Sequence, residues 1–299
     1  MDEFISSAGN TALLLKKYDI KLKKSLGQNF LIDTNILKKI AKASGAGEND
    51  TILEIGSGLG SLTEILVPLV KKIVCVEVDA KLSKAFREEM AGFIGNNITL
   101  IESDAMKIDY SRLAGEFKIN KVISNLPYKI AAPLIITILK NAPGIDKMYL
   151  TIQKDIACRL TAKTGDKNYS SYTVKSALLA DFRIMFQISG TCFMPVPNVD
   201  SVFVEVCRKN MKANEIGPDL VNEFFSFIDN CFLHRRKKLV NSLQKVLEKF
   251  NIDKKDLMVK MLHGIGKDAE VRAEEMTLDD FIKLFLALKY PNVLTGTKR

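Results

Sequence analysis

The sequence has no C-x-x-C pair; its five cysteines, Cys75, Cys158, Cys192, Cys207 and Cys231, are scattered singly. An odd, dispersed set argues against a closed disulfide framework and predicts reduced thiols, most of them in the core. Histidine is scarce, and the two, His234 and His263, lie far apart in sequence, so no metal site is expected. No apolar run reaches membrane-spanning length. The start, with Asp2 and Glu3 followed by polar residues, lacks the basic segment and apolar stretch of a signal peptide. The expectation is a cytoplasmic protein with no membrane partner. Internal repeats, low-complexity tracts and coiled-coil heptads are also missing, and a monomer is expected.

What is present is an ordinary folded composition, 47% hydrophobic and 26% charged, over 299 residues. That length favours a large domain plus a smaller one. The charge is lopsided, with 44 Lys and Arg against 35 Asp and Glu, a net +9. A basic chain suits a polyanionic partner, but charge alone leaves a merely soluble surface equally open. Motifs have to decide between them.

Residues 1–24 read as a lead-in arm with a short helix and the basic positions Lys16, Lys17, Lys21, Lys23 and Lys24, suited either to phosphate contact or to a solvated face. From Thr51 onward, β-rich runs at Thr51 to Ile55, Ile73 to Val78, Ile98 to Glu102, Lys121 to Ser124 and Met148 to Gln153 alternate with helical patterns. This is the βαβα signature of a parallel sheet covered on both faces. A helix at Tyr172 to Ala180 and runs at Phe182 to Ile188 and Val202 to Cys207 complete the sheet at one edge. After Arg208, Gly217-Pro218 punctuates a link and helical periodicity takes over. Helices are predicted near Leu220 to Leu233, Lys237 to Phe250 and Leu278 to Leu288, the last opening on Thr277 with Asp280 three residues on. The expected domains are therefore 25–209, catalytic and α/β, and 210–299, small and all-α.

The first strand runs into Glu54-Ile55-Gly56-Ser57-Gly58-Leu59-Gly60-Ser61, a glycine-rich turn that opens a helix. Glycines allow close backbone approach, and the helix start offers unpaired N–H groups. A dinucleotide fingerprint would need its third glycine where Ser61 stands, whereas E-x-G-x-G-x-G is the pattern of S-adenosylmethionine enzymes. Glu77 ends the second strand, where an acidic side chain in this fold accepts from ribose hydroxyls, and Ser103-Asp104-Ala105 ends the third, beside the position for an adenine. Taken singly, such a carboxylate is more often a cap. Three of these features at successive strand ends point to a cofactor site.

The fourth strand ends in Ser124-Asn125-Leu126-Pro127-Tyr128. It resembles the motif of amino-group methyltransferases acting on adenine or cytosine, and that resemblance implies as target an exocyclic adenine amine, a poor nucleophile because its lone pair is delocalised into the ring, unless acceptors hold its hydrogens and favour a tetrahedral nitrogen. The Asn125 side-chain oxygen and the Leu126 carbonyl can be those acceptors, Pro127 fixes the turn, and Tyr128 can stack on an extruded base. Positioning and electrostatics suffice for such a transfer, so the lack of a catalytic histidine is no objection. The bland alternative, a strand-ending turn with an incidental tyrosine, is disfavoured by its place at the fourth strand end.

This stretch resembles the motif of amino-group methyltransferases, [DNS]-P-P-[YFW] in general and N-L-P-Y in the KsgA family of small-subunit ribosomal RNA adenine dimethyltransferases. Four further stretches match that family: Gln28-Asn29-Phe30-Leu31, Gln153-Lys154-Asp155, Phe193 to Ser201, and Arg235 to Leu243. The resemblance runs from about Lys23 to Leu288 and implies a Rossmann-like S-adenosylmethionine-dependent methyltransferase fold, with a seven-stranded mostly parallel sheet and a small all-α carboxyl-terminal domain. It places cofactor contacts on Asn29, Leu31, Gly56, Glu77, Asp104 and Asn125, to which the glycine turn adds Gly58, and the catalytic group on Asn125, Leu126, Pro127, Tyr128 and Phe193. Phe193 would face Tyr128 across the target adenine, a stacking contact worth roughly 1–3 kcal/mol. Lys23, Lys24, Arg235, Arg236, Lys237 and Lys238 are the candidate RNA contacts, with a solvated face as the alternative for each run. Arg272 also matches a family position, in packing or in binding.

By the same resemblance the substrate is 16S rRNA within an immature small subunit, dimethylated at N6 of two adjacent adenosines near its 3′ end. An Erm-type enzyme acting on large-subunit RNA shares the motif and is the nearest alternative; Leu126 and the Arg235 to Leu243 string favour the KsgA pattern. A non-catalytic assembly factor is disfavoured by the intact Asn125, Pro127 and Tyr128, and an NAD enzyme by Ser61. One departure stands: Tyr169-Ser170-Ser171-Tyr172-Thr173-Val174 replaces the usual Y-G-x-L-S-V.

Overall fold

Strands inside a parallel sheet carry near-continuous apolar runs, and the chain supplies five β-rich segments in sequence: β2 (Thr51–Ile55), β3 (Lys72–Glu77), β4 (Ile98–Glu102), which lies at the edge, β5 (Lys121–Asn125) and β6 (Lys147–Gln153). All five residues of β2, at the sheet centre, are buried. A computed structural model describes residues 5–22, 27–209, 216–235, 237–243 and 255–290. In it these strands pair in parallel in the order β4-β3-β2-β5-β6. Strand β9 (Ser201–Arg208) adds antiparallel to β6, and β7 (Ala180–Ile188) closes the edge antiparallel to β9. The seven-stranded, mostly parallel sheet expected from the alternating pattern is thus formed.

The order reverses at β2, whose neighbours are β3 on one side and β5 on the other. Crossover helices leave the sheet in opposite directions there, opening a crevice at the carboxyl ends of β2 and β5, where this fold class binds ligands. The helices start on local caps: Asp33, Asp79 and Asp109 each accept from backbone N–H groups in the first turn that follows. At the far edge Arg208 donates to the carbonyls of Leu139, Ala142 and Ile145, closing the end of helix Ala131–Asn141.

A second, two-stranded ladder pairs β1 (Phe30–Leu31) antiparallel with β8 (Phe193–Met194). Strands this short have no periodicity to detect in the sequence. The lead-in forms helix Ala8–Lys17, and Tyr18 and Lys17 tie it to Glu88 and Glu89 on helix Ala80–Glu89. Its basic residue Lys17 is therefore an ion-pair partner.

The chain divides into two compact units, Met1–Ala157 with Ala180–Arg208, and Cys158–Leu179 with Lys209–Arg299. The sequence pattern assigned 25–209 to one domain; the helical unit also takes in Cys158–Leu179, because helix Ser171–Leu179 packs against helix Val221–Phe232 and Thr173 and Ser176 bond back to the carbonyls of Arg159 and Leu160. Its aromatic core joins Phe224, Phe227, Phe281 and Phe285. Helix Leu278–Lys289 begins on the Thr277/Asp280 capping box read from the sequence. Helix Lys255–Gly264 was not anticipated, and of the helix expected over Lys237 to Phe250 a turn at Leu239–Ser242 is seen, the remainder lying outside the described residues. No helix among the described residues is long and apolar enough to cross a membrane.

Candidate active site

The glycine turn leaves β2 with Gly56 and Gly58 in the left-handed region, at φ +73° and +58°. A Cβ on Gly56 would stand 3.0 Å from Pro127 Cγ, and one on Gly58 2.8 Å from Phe30 Cε1. These are the approaches that only glycine permits. The first also shows that the glycine turn and the Asn125 turn touch: they emerge at one rim of the sheet. Between them lies a cavity of about 310 Å³, of a size suited to a small-molecule ligand.

Each expected cofactor position, Asn29, Leu31, Gly56, Gly58, Glu77, Asp104 and Asn125, lines that cavity. Glu77 is buried and accepts from the backbone N–H groups of Gly58, Val78 and Asp79 at 2.9–3.0 Å. Burial raises its carboxyl above the usual range, against the pull of those three donors. Asp104 accepts from the Met106 N–H at 2.9 Å, so it is both a cap and part of the wall. The two readings weighed for strand-end carboxylates therefore coexist.

Asn125 is held by one bond and left open by the other. Its Nδ2 donates to the Asn29 carbonyl at 3.0 Å. A carbonyl can only accept, so that contact fixes the amide orientation and turns Oδ1 away. Oδ1 is buried and has no partner among the described residues. Leu126 is anchored by its N–H to the Thr151 carbonyl, and Pro127 closes the turn by accepting from Ile130. Leu126, Pro127 and Tyr128 all line the cavity.

Phe193 stands apart from the expected arrangement. It is 1% exposed, lies outside the cavity wall, and meets Tyr128 edge to face at 6.5 Å and 65°. Nearly perpendicular rings leave no parallel slot for a base between them. The cause is the ladder: pairing of β8 with β1 turns the Phe193 ring into the apolar core beside Phe30 and Leu31.

Several wall residues escaped sequence reasoning. Val78 and Met106 are 52% and 40% exposed, two large apolar side chains on the rim, flanking Glu77 and Asp104. Their signal was position, one and two residues past the strand-end acids. Ser57 and Ser61 expose buried hydroxyls without partners among the described residues. Orphaned hydroxyls, buried carboxylates, a glycine cradle and an apolar rim together fit S-adenosylmethionine, which offers a charged amino-acid end, a ribose diol and a purine.

Glu54 sits beneath the turn, 2% exposed, accepting from Thr63 Oγ1 at 2.7 Å. Desolvation pushes its carboxyl up to about 8, with the Thr63 bond opposing and the Glu77 charge adding. The protonated acid is thus favoured in the fold. Its contribution to stability is complete below the ordinary value of 4.5 and is lost as the pH rises through about 8. Glu54→Gln, which keeps an acceptor for Thr63 and cannot ionise, is expected to flatten the fall in melting temperature across that window. An unchanged slope in thermal scans would count against it.

In the helical unit, Arg235 already has partners within the chain: it donates to Glu274 at 2.6 Å and to the Lys167 and Asp166 carbonyls at 2.5 and 3.1 Å. Lys238 pairs with Glu270, while Lys237 and Arg272 are exposed. Lys23, Lys24 and Arg236 lie outside the described residues.

A mixed sheet of this order, with a glycine turn and an asparagine turn sharing one cavity, defines a Rossmann-like methyltransferase. The chain belongs to the ribosomal RNA adenine dimethylase family, whose model matches residues 20–289. It is 36% identical to a ribosomal RNA small subunit methyltransferase A of Natranaerobius thermophilus, over 91% of this chain and 93% of that protein. The protein of the same name from Geobacillus thermodenitrificans is 35% identical, over 96% and 98%. Among solved structures, a dimethyladenosine transferase from Plasmodium falciparum superposes with a TM-score of 0.70 at 28% identity, covering 86% of this chain and 96% of that one. The 23S rRNA methyltransferase ErmE, at 0.58 and 22%, covering 87% and 99%, shares the fold.

Proposed function

We propose that this protein transfers methyl groups from S-adenosylmethionine to N6 of adenosine in small-subunit ribosomal RNA, dimethylating two adjacent adenosines near the 3′ end of 16S rRNA during subunit assembly in the cytoplasm. The observation that carries the reading is the buried, unpartnered Asn125 Oδ1 on the wall shared with the glycine turn. An acceptor left unsatisfied in a buried site costs about 1–3 kcal/mol, and an amine hydrogen relieves it. S-adenosylmethionine, when bound, supplies an activated methyl on a sulfonium. Of the residues that line the cavity, Gly56, Gly58, Ser57 and Ser61 would hold its amino-acid end, Glu77 would accept from the ribose hydroxyls, and Val78, Met106 and Asp104 would hold the purine. Asn125 and the Leu126 carbonyl hold the target amine, and Tyr128 offers its ring to the base.

The Erm-type reading is less supported, since the relatives with 33–36% identity over nearly the whole chain are named for the small subunit and the likeness to ErmE is one of fold. Incubation with labelled S-adenosylmethionine and undermethylated small subunits should yield dimethyladenosine in 16S rRNA by mass spectrometry. Label confined to large-subunit RNA would transfer the case to the Erm reading.

The basic run of the helical unit divides between two tasks on this reading. Arg235→Ala is expected to cost stability, on the order of 1–3 kcal/mol, because it strips Glu274 and two carbonyls of a charged donor. Lys237→Ala is expected to leave stability intact and lower the slope of log affinity for RNA against log salt by about 0.7–0.9. Thermal unfolding and salt-titrated binding check the pair; the reverse assignment would show that Arg235 is the RNA ligand.

A further inference from the structure

Tyr128 and Ser201 are joined hydroxyl to hydroxyl at 2.9 Å, and both are buried. A tyrosine that stacks on a base uses the face of its ring, and its hydroxyl takes no part in that contact. Buried as the two residues are, their hydroxyls satisfy each other. The two sit on unlike supports. Tyr128 is on the turn after β5, whereas Ser201 opens β9, paired with Gln153 of β6 on one side and Ile188 of β7 on the other. The segment before it is also fixed, because Asp200 accepts from the Gly190 N–H and from Gln187 Nε2. Ser201 is thus a fixed post and Tyr128 the part that can turn.

We propose that Ser201 is a positioning residue that fixes the direction in which the Tyr128 side chain points, and with it the place at which the ring is offered to the target base. The inference rests on the adenine-methylation reading above. One hydrogen bond and one edge contact from Phe193 hold the side chain in that direction. Removing the bond leaves a buried phenol unsatisfied, and the ring turns about χ1 to find another partner.

Ser201→Ala is expected to lower kcat about tenfold in the otherwise native chain but less than about twofold in a Tyr128→Phe background, where there is no hydroxyl to hold. The KM for S-adenosylmethionine should be unchanged in both. An equal loss in the two backgrounds would overturn the proposal, because a serine needed only for strand packing acts regardless of the tyrosine hydroxyl. A second readout is independent of activity: in ¹³C-tyrosine-labelled protein, the Tyr128 resonance, identified by its loss in Tyr128→Phe, should shift or broaden in Ser201→Ala while the other tyrosines stay in place. An unmoved resonance would also overturn it. Failure of the adenine reading is separately visible, as a native chain that does not label small-subunit RNA.

Discussion

Asn125→Ala is expected to cut methyl transfer by about 10²–10³ in kcat, the effect of removing one oriented hydrogen-bonding group from a buried reacting centre. The fold should hardly register the change. The substitution loses the Nδ2 bond to the Asn29 carbonyl, worth about 1 kcal/mol, but it also removes a buried acceptor whose lack of a partner costs a comparable amount. The two terms oppose, so the melting temperature should stay within a few degrees of the native value, and binding of small-subunit RNA should persist. A variant that is inactive, folded and still bound to RNA locates the loss at the amine. Retention of native turnover would remove Asn125 from the chemistry, and unfolding would mean that its amide is a structural strut.

Strand-end residues are legible because their place follows from local pattern: alternation gives the strands, the strand gives its carboxyl end, and Gly56, Glu77, Asp104 and Asn125 fall there without any tertiary knowledge. All four line one cavity. Contacts that depend on long-range pairing were not legible in detail. The β1–β8 ladder joins residues more than 160 positions apart through two-residue strands, and it is this ladder that turns Phe193 into the core. The same limit applied to Arg235, whose basic neighbours in sequence suggested a phosphate contact while its partners, Asp166, Lys167 and Glu274, come from distant segments. Charge runs report composition; only the packing says which charges are already spent.

Gly56→Ala is expected to damage the enzyme in a way that a stability scan understates. At φ +73° an alanine carries a backbone cost of roughly 1–2 kcal/mol, which a chain of this size tolerates. The larger effect is geometric. The new methyl would lie 3.0 and 3.2 Å from Pro127 Cγ and Cδ, so the glycine turn and the asparagine turn must separate by a few tenths of an ångström or more. On the proposed reading each turn holds one of the two groups that must approach for methyl transfer, and a misplacement near 1 Å costs on the order of 10²-fold. Gly56→Ala should therefore weaken S-adenosylmethionine binding by calorimetry and depress kcat further still. Gly115→Ala provides the comparison: it lies in helix Tyr110–Phe117 with nothing within 4 Å of its added Cβ, and should stabilise the protein by about 0.4–1 kcal/mol at native activity. If the two alanines proved equally harmless to turnover, the contact between the turns would not set the transfer distance, and the shared rim would be a feature of the fold alone.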